Sequence, residues 1–342
     1  MPERITILGD GAMATVCSIL LTQGGHEVTM WGAFEESIER LIQNRENSRF
    51  LKGARVPQSV RLTANDRECF EGSSLVLSAI PTQYIRSVWT RLKAHLREGV
   101  PIVSVAKGIE VDTLLRPSQV VSDALGLRKH PIAVLSGPNI AAELAKYLPA
   151  TAVVACEDAS LAQRVQSAFA TQWFRVYTNS DVIGVELAGA TKNIVAIAAG
   201  ILDGLSAGNN AKAALVTRGL VEITRLGVAM GAQESTFQGL AGLGDLITTC
   251  VSPEGRNRTV GEQLGKGHKL DEILSKMDSI AEGVPTTRAV RQLAKRFNVE
   301  MPITDAVYSV LFEKKDVLTA LTELMTRQPK PEYSLSQYSG RG

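Results

Sequence analysis

The sequence has 342 residues, of which 44% are hydrophobic, 21% charged and 5% aromatic, and its formal net charge is +2 at pH 7. A chain of this length exceeds one comfortable core and indicates two domains of ordinary size. The near-neutral charge excludes a broad electrostatic surface for nucleic acid. Any bound anion must therefore be held by a local cluster of cations.

The start of the chain and its cysteines indicate in which cellular compartment the protein functions. Residues 1–4 lead directly into the aliphatic run 5–8, without the basic and apolar regions of a signal peptide. The longest aliphatic run, residues 194–202, is too short to span a membrane. The four cysteines and four histidines are scattered, which predicts reduced thiols and no metal site. We expect a cytoplasmic protein without a membrane span or bound metal.

Short aliphatic runs alternate with helical stretches in the first half of the chain. The runs are bounded by Gly, Pro, Asn or Ser, which is typical of buried parallel strands. The predicted strands are residues 5–8, 27–31, 75–79, 102–105, 132–135 and 152–155, with 174–177 as a last strand. This alternation predicts an α/β domain built on a doubly wound parallel sheet.

From Asp181 onward the sequence contains almost no strand signal. Helical patterns cover residues 182–202, 210–230, 234–240, 259–265, 270–277, 286–297, 303–312 and 318–327. These patterns predict an all-α C-terminal domain, with the boundary near residue 182 and the two domains spanning 1–182 and 183–342. The polar tail, residues 329–342, is expected to be mobile.

A glycine turn follows the first predicted strand and opens the first predicted helix. Gly9, Gly11 and Ala14 have the GxGxxA spacing of dinucleotide-binding turns. Gly9 allows the tight turn, Gly11 lets backbone approach a pyrophosphate, and Ala14 permits close helix packing. An ordinary glycine turn is the less favoured alternative, because the second strand follows on schedule. Residues 1–182 are therefore predicted to bind a dinucleotide.

The end of the second predicted strand leaves the choice between NAD and NADP open. An acid there usually binds the ribose diol of NAD, whereas an arginine accommodates the 2′-phosphate of NADP. Residues 30–34 contain neither. Glu35 and Glu36 come slightly late, and Arg40 or Arg45 could fold back on a 2′-phosphate.

Two lysines occupy positions that favour a function. Lys107 follows a predicted strand and precedes Gly108, so it would point into the crevice outside the carboxyl ends of the strands. Lys192 and Asn193 lie in the middle of a helix that is apolar nearly all round, where both need partners. Burial would also lower the pKa of Lys192 towards the range useful for proton transfer. The alternatives are an exposed Lys107 and a Lys192 that extends to the surface.

A third stretch combines an acid with arginines. Asp245 lies among glycines, and residues 255–258 read Gly-Arg-Asn-Arg. The acid suits the orientation of a lysine, and arginine forks match phosphate oxygens. A solvated basic loop is the alternative. Together with Lys107 and Lys192, Arg256 and Arg258 predict an anionic ligand.

Four motifs together resemble one enzyme family. Residues 135–143 (LSGPNIAAE), 184–193 (GVELAGATKN), 239–245 (GLAGLGD) and 255–258 (GRNR) are similar, in this order, to NAD(P)-dependent glycerol-3-phosphate dehydrogenases of the bacterial type. The resemblance extends over residues 5–327. It implies a Rossmann-type N-terminal domain, an all-helical C-terminal domain and usually a homodimer. It also implies reversible NAD(P)H-dependent reduction of dihydroxyacetone phosphate to sn-glycerol 3-phosphate, which supplies phospholipid synthesis.

The same resemblance implies roles for individual residues. Lys192 corresponds to the catalytic proton donor and acceptor. The implied substrate-binding positions are Lys107, Gly137, Asn139, Asp245, Gly255, Arg256 and Asn257. The implied cofactor-binding positions are Gly9, Gly11, Ala12, Met13, Ala14, Ala33, Lys107, Ala141, Arg256, Ile280 and Glu282.

The sequence departs from the usual family pattern in three places. Ala12 and Met13 replace the serine and aromatic residue that usually touch the cofactor. Ala33 replaces an arginine after the second strand, which weakens a preference for NADP. Gly255 replaces a serine and removes one side-chain contact. The cofactor is therefore expected to be NAD or NADP, without a decision between them.

Two other functions remain as alternatives. A β-hydroxyacid dehydrogenase of the 6-phosphogluconate or hydroxyisobutyrate type shares the domain plan and a lysine on a helix. The motifs at residues 242–245 and 255–258 favour glycerol phosphate over those substrates. A non-catalytic redox sensor that binds a dinucleotide is compatible with the fold, but the presence of both Lys107 and Lys192 argues against it.

Overall fold

The computed structural model describes residues 2–329 and 331–332, with a sheet in the first half and helices in the second. The strands are, in chain order, β1 (Arg4–Leu8), β2 (Glu27–Trp31), β3 (Arg61–Thr63), β4 (Leu75–Ser78), β5 (Ile102–Ser104), β6 (Ile132–Ser136), β7 (Ala150–Ala155) and β8 (Phe174–Asn179). The helices of this half are α1 (Ala12–Gln23), α2 (Glu35–Asn44), α3 (Ile85–Leu92), α4 (Pro117–Leu125), α5 (Ala141–Leu144) and α6 (Ala159–Phe169).

The eight strands form one sheet in the order β3-β2-β1-β4-β5-β6-β7-β8. Strands β1 to β6 are parallel, which confirms the doubly wound, Rossmann-type arrangement. Strand β7 is antiparallel to β6, so the prediction of a wholly parallel sheet is wrong at this pair. The connection contains only the four-residue α5, which spans about 6 Å. Such a helix is too short to cross back along the sheet, and the chain reverses instead.

Seven strands were predicted to within two residues, whereas β3 was missed. Strand β3 is three residues long, Arg61–Thr63, and lies at the edge of the sheet beside β2. It lacks the continuous aliphatic run that identified the buried strands, because an edge strand has only one neighbour and needs less apolar surface.

Side chains alternate between the two faces of the sheet and form a core on each. Ile7 and Leu77 belong to one core, whereas Leu8, Val76 and Trp89 belong to the other, and all five are essentially inaccessible to solvent. Burial on both faces explains why the strands are aliphatic throughout rather than alternating with polar residues.

The second half of the described chain is helical, which confirms the predicted class of this region. Its helices are α7 (Val182–Gly204), α8 (Gly208–Ala229), α9 (Glu234–Phe237), α10 (Asp245–Val251), α11 (Arg256–Gly265), α12 (Leu270–Ser275), α13 (Gly283–Arg296), α14 (Pro302–Phe312) and α15 (Val317–Met325). Residues 240–244 form one π-helical turn. The sheet ends at Asn179 and α7 begins at Val182. The division of the chain into domains at residue 182 stays a prediction.

Helix α7 is the centre of the helical region. By length and composition its 23 residues could cross a membrane, but 83% of its apolar window is buried inside the protein, so it is a core helix here. Helix α11 crosses it at very close range. A Cβ on Gly200 would lie 1.9 Å from the carbonyl oxygen of Arg258, and one on Gly261 would lie 1.9 Å from that of Ile197. These glycines let α11 lie directly against the middle of α7.

Two helical predictions need correction. Helix α11 begins at Arg256, not at residue 259, so residues 256–258, for which a basic loop was the alternative, form the first turn of a helix. Residues 241–251, to which no element was assigned, belong to the π-turn and α10. Glycine-rich sequence suppresses the helical pattern, but packing against α7 supplies the stability that propensity lacks. The predicted mobile tail, residues 329–342, lies outside the described residues except for 329, 331 and 332.

Candidate active site

One carboxylate joins the two lysines that the sequence singled out. Oδ1 of Asp245 lies 2.7 Å from Nζ of Lys192, and Oδ2 lies 2.7 Å from Nζ of Lys107. Asp245 and Lys192 are buried, whereas the side chain of Lys107 is 21% exposed. The cluster therefore opens to solvent on the side of Lys107.

Four elements hold this cluster in place. Lys192 lies in the middle of α7, Asp245 begins α10, and Lys107 follows β5. The side-chain nitrogen of Asn193 donates a hydrogen bond to the carbonyl oxygen of Lys107 at 3.1 Å. Nζ of Lys107 in turn donates to the carbonyl oxygen of Gly137, which follows β6, at 2.8 Å. Lys107 is thus held at both its backbone and its ammonium group.

The electrostatics of the cluster suit proton transfer. The pKa of Lys192 is lowered to about 8, chiefly by burial; the nearby ammonium of Lys107 contributes to the lowering, while Asp245 opposes it. A donor with a pKa close to neutral pH is charged most of the time and releases its proton readily. The lysine that was predicted to be buried is therefore both buried and partnered.

Thr249 belongs to the cluster and was missed from the sequence. Its hydroxyl contacts Nζ of Lys192 and donates to the carbonyl oxygen of Asp245 at 2.7 Å. Thr249 is the fourth residue after Asp245, so a helix places both on one face. This spacing was visible in the sequence, but no helix was predicted over residues 241–251.

Arg256 is the unpaired cation of the site. Its side chain is exposed, and it makes no hydrogen bond or ion pair with any residue of the described ranges. Desolvation by the surrounding protein lowers the pKa of the Arg256 guanidinium, and the negative charge of Glu282 opposes this lowering. Arg256 begins α11, whose N-cap, Gly255, provides no side-chain cap. The guanidinium and the free NH groups of the first turn together form a place for an anion.

Two neighbours of Arg256 are engaged elsewhere. Nε of Arg258 bonds the carboxylate of Asp203 at 2.7 Å, so this arginine is not available to a ligand. Asn257 is buried, and its side-chain oxygen accepts from the backbone nitrogen of Gly283 at 2.9 Å. The predicted pair of anion-binding arginines is therefore reduced to Arg256.

The glycine turn has the geometry of a dinucleotide cradle. Gly9 has a φ of +120°, and a Cβ there would lie 2.6 Å from the carbonyl oxygen of Ala79, so no other residue fits. A Cβ on Gly11 would meet no described atom within 4 Å, so the turn is open towards a ligand. Ala12, Met13 and Ala14 begin α1, which has no side-chain cap and no acid in its first turn. These residues fit a pyrophosphate.

Three other predicted positions, Gly137, Asn139 and Ala141, follow the carboxyl end of β6. Gly137 has a φ of +136° and follows β6, and the side-chain nitrogen of Asn139 donates to the carbonyl oxygen of Thr151 at 3.1 Å. Ala141 begins α5, and Ile280 is partly exposed just before α13.

Glu282 connects the helical region to the sheet. Its Oε1 accepts from the backbone nitrogen of Thr82 at 2.8 Å, and its Oε2 would lie 2.9 Å from a Cβ on Gly108. Burial raises the pKa of Glu282, whereas the hydrogen bond from Thr82 and the positive charge of Arg256 lower it. Glu282 therefore lies against the loop that carries Lys107.

Ala33 is distant from the lysine cluster. It follows β2, which is three strands away from β5 in the sheet. Three strand spacings correspond to about 14 Å. A dinucleotide bound at the glycine turn would extend along this edge from Ala33 towards Lys107.

Comparison with known proteins identifies close relatives. Residues 4–162 match the family model described as NAD-dependent glycerol-3-phosphate dehydrogenase N-terminus, and residues 181–322 match the one described as its C-terminus. A glycerol-3-phosphate dehydrogenase (NAD(P)+) of Citrifermentans bemidjiense is 48% identical over 333 residues, which cover 97% of this chain and 99% of the relative.

Solved structures agree with these matches. The crystal structure of glycerol-3-phosphate dehydrogenase from Coxiella burnetii superposes with a TM-score of 0.91 at 36% identity, covering 95% of this chain and 99% of that one. The enzyme from Saccharomyces cerevisiae superposes with a TM-score of 0.80 at 26% identity, covering 94% and 99%.

Proposed function

Because this chain belongs to the NAD-dependent glycerol-3-phosphate dehydrogenase family, we propose that Lys192, Asp245 and Lys107 form its catalytic centre. The chain is an NAD(P)-dependent oxidoreductase that interconverts dihydroxyacetone phosphate and glycerol 3-phosphate. The observation that carries the assignment of the centre is the buried Lys192 ammonium, with a pKa near 8, paired to Asp245.

In this proposal Lys192 donates a proton to the carbonyl oxygen of the substrate. The nicotinamide supplies the hydride when bound. The ammonium group stabilises the negative charge that develops on the oxygen, and a preformed charge in a buried site is most effective there. Asp245 keeps the ammonium charged and, together with Thr249, fixes its direction. In the reverse direction neutral Lys192 accepts the hydroxyl proton.

We propose that Arg256 and the first turn of α11 bind the phosphate of the substrate. Arg256 lacks a protein partner within the described ranges, whereas Arg258 has one. Anchoring the phosphate holds the ketone against the lysine cluster, and such positioning removes much of the barrier. The further positions proposed to bind the substrate are Gly137, Asn139, Gly255 and Asn257.

The proposed cofactor path starts at the glycine turn. Gly9, Gly11 and the first residues of α1, Ala12, Met13 and Ala14, hold the pyrophosphate, and the dinucleotide follows the carboxyl ends of the strands. The positions assigned along the rest of the path are Ala33, Lys107, Ala141, Arg256, Ile280 and Glu282.

The test is an assay of NADH and NADPH oxidation with dihydroxyacetone phosphate, with 6-phosphogluconate and hydroxyisobutyrate semialdehyde as comparison substrates. Lys192→Ala is expected to lower turnover by about 10²- to 10⁴-fold, the usual contribution of a general acid. Lys276→Ala, which removes an exposed lysine after α12, is the control and should be near wild type. Turnover of Lys192→Ala within a few-fold of wild type would overturn the assignment.

We also propose a setting for this activity: a cytoplasmic homodimer whose product feeds phospholipid synthesis. The four cysteines are all buried and unpaired, which suits a reducing compartment. Sedimentation at about twice the chain mass of 36.8 kDa would support the dimer. Sedimentation at the chain mass would contradict it.

A further inference from the structure

The end of β2 carries an acid that comes from elsewhere in the chain. Asp10, between the two glycines of the cofactor turn, directs its side chain to this position. Its Oδ2 accepts from the hydroxyl of Ser37, in α2, at 2.5 Å. A Cβ on Gly32, directly after β2, would lie 3.2 Å from the carboxyl carbon of Asp10. The carboxylate thus lies where an NAD site usually has the acid of its second strand.

The surrounding residues hold this carboxylate in place. Gly32 has no side chain to exclude it, and the side-chain nitrogen of Asn47 donates to the carbonyl oxygen of Asp10 at 2.8 Å. Asp10 remains partly exposed, so a ligand can reach it. Neither contact replaces the charge of the carboxylate, because a hydroxyl and an amide are neutral.

The arginines near this position have other partners. Arg40 pairs with Glu36 at 3.3 Å on the exposed face of α2. Nη1 of Arg45 donates to the carbonyl oxygen of Val60 at 2.8 Å, which ties this side chain to the segment before β3. The two arginines that could have bound a 2′-phosphate therefore point to other groups.

Arg91 is a further cation at this end of the sheet, and its Nη1 donates to the carbonyl oxygen of Ala33 at 3.5 Å. Its guanidinium lies 5.2 Å from the centre of the Trp31 ring, and Nε and Nη2 bond the carboxylate of Asp66 at 2.6 and 2.8 Å. Arg91 and Asp66 together carry no net charge, whereas Asp10 forms no ion pair within the described residues.

We propose that Asp10 makes this chain select NAD(H) over NADP(H). Its carboxylate accepts a hydrogen bond from the ribose 2′-hydroxyl of NAD and repels the 2′-phosphate of NADP, which carries about −1.5 to −2 charges. In an open α/β sheet the adenosine ribose lies at the end of the second strand, beside the glycine turn. The inference rests on the cofactor turn and not on the catalytic roles proposed above.

The experiment measures binding of NADH and NADPH to the full chain without substrate, by fluorescence titration. The dissociation constant for NADPH is expected to exceed that for NADH by about tenfold or more, a difference of about 1.4 kcal/mol. Asp10→Asn keeps the shape and the bond to Ser37, and should reduce this ratio at least about fivefold. Glu39→Gln removes an equal charge from an exposed position of α2 and should leave the ratio unchanged.

Salt dependence provides a second test that needs no variant. If repulsion disfavours NADPH, raising the salt from about 20 to about 500 mM lowers the NADPH-to-NADH ratio of dissociation constants, because exposed charges are screened. A cationic 2′-phosphate site predicts the opposite sign.

Three outcomes would overturn the proposal: equal or tighter binding of NADPH, an unchanged ratio in folded Asp10→Asn, or a ratio that rises with salt. Should Asp10→Asn fail to melt cooperatively, Asp10→Ser takes its place. Because the titrations contain no substrate, they stand even if the catalytic assignment of Lys192 fails.

Discussion

Replacing Asp245 with asparagine tests the lysine cluster most directly. Asp245→Asn keeps the shape of the side chain but removes the negative charge that lies 2.7 Å from both ammonium groups. Asp245 raises the pKa of Lys192, whereas burial and the positive charge of Lys107 lower it. In the variant, burial and the Lys107 charge are opposed only by a smaller contribution from Cys250. The pKa of Lys192 should therefore fall below about 8, and each unit corresponds to about 1.4 kcal/mol.

The consequence for activity depends on pH in a defined direction. Reduction of the ketone requires protonated Lys192, so activity is present below its pKa and lost as the pH rises through it. In the wild type this loss should be centred near pH 8. In Asp245→Asn we expect the loss at least about one unit lower, which alone reduces the protonated fraction of Lys192 and thus turnover at pH 7.5 by about threefold or more. Acidification should restore part of the activity.

The assay is turnover in dihydroxyacetone phosphate reduction as a function of pH, with thermal melting to show that the variant is folded. Breaking a buried ion pair costs about 3–5 kcal/mol, so a lower melting temperature is also expected. Asp271→Asn, which removes an exposed carboxylate from α12, serves as the control. An alkaline limb at the wild-type pH in folded Asp245→Asn would refute the view that Asp245 maintains the charge of Lys192.

Three further variants test the rest of the structure. Arg256→Gln should raise the KM for dihydroxyacetone phosphate by about ten- to a hundredfold, the value of a charged hydrogen bond; steady-state kinetics with KM unchanged would contradict this. Gly9→Ala should destabilise by about 1–3 kcal/mol in urea unfolding, because its Cβ would lie 2.6 Å from the Ala79 oxygen; an unchanged midpoint argues against the strain. Arg116→Met removes the partner of buried Glu186, whose pKa burial already raises. Its loss of stability should be larger at about pH 8 than at about pH 5, where the carboxyl can bind a proton; equal losses would contradict a buried charge.

Much of the fold could be predicted from the sequence because burial leaves a local pattern. The aliphatic strands, buried on both faces, and the apolar helix α7 need no knowledge of their neighbours to be recognised. Gly9 and Lys192 were identified in the same way, since a tight turn and a charge within an apolar helix both stand out locally. The edge strand β3 and helix α10, which directly follows the glycine-rich turn at residues 240–244, were missed because neither leaves such a pattern.

What the sequence by itself determined is therefore the class of the elements, the glycine turn, and the two lysines and the aspartate of the proposed catalytic centre. Only the tertiary structure decided how those residues are paired. In the folded chain Asp245 forms ion pairs with both Lys107 and Lys192, and Arg258 forms an ion pair with Asp203. The fold also places the side chain of Asp10 at the end of β2. Such pairings depend on distances between segments that are far apart in the chain. The local sequence around a charged residue therefore does not indicate which residue will pair with it.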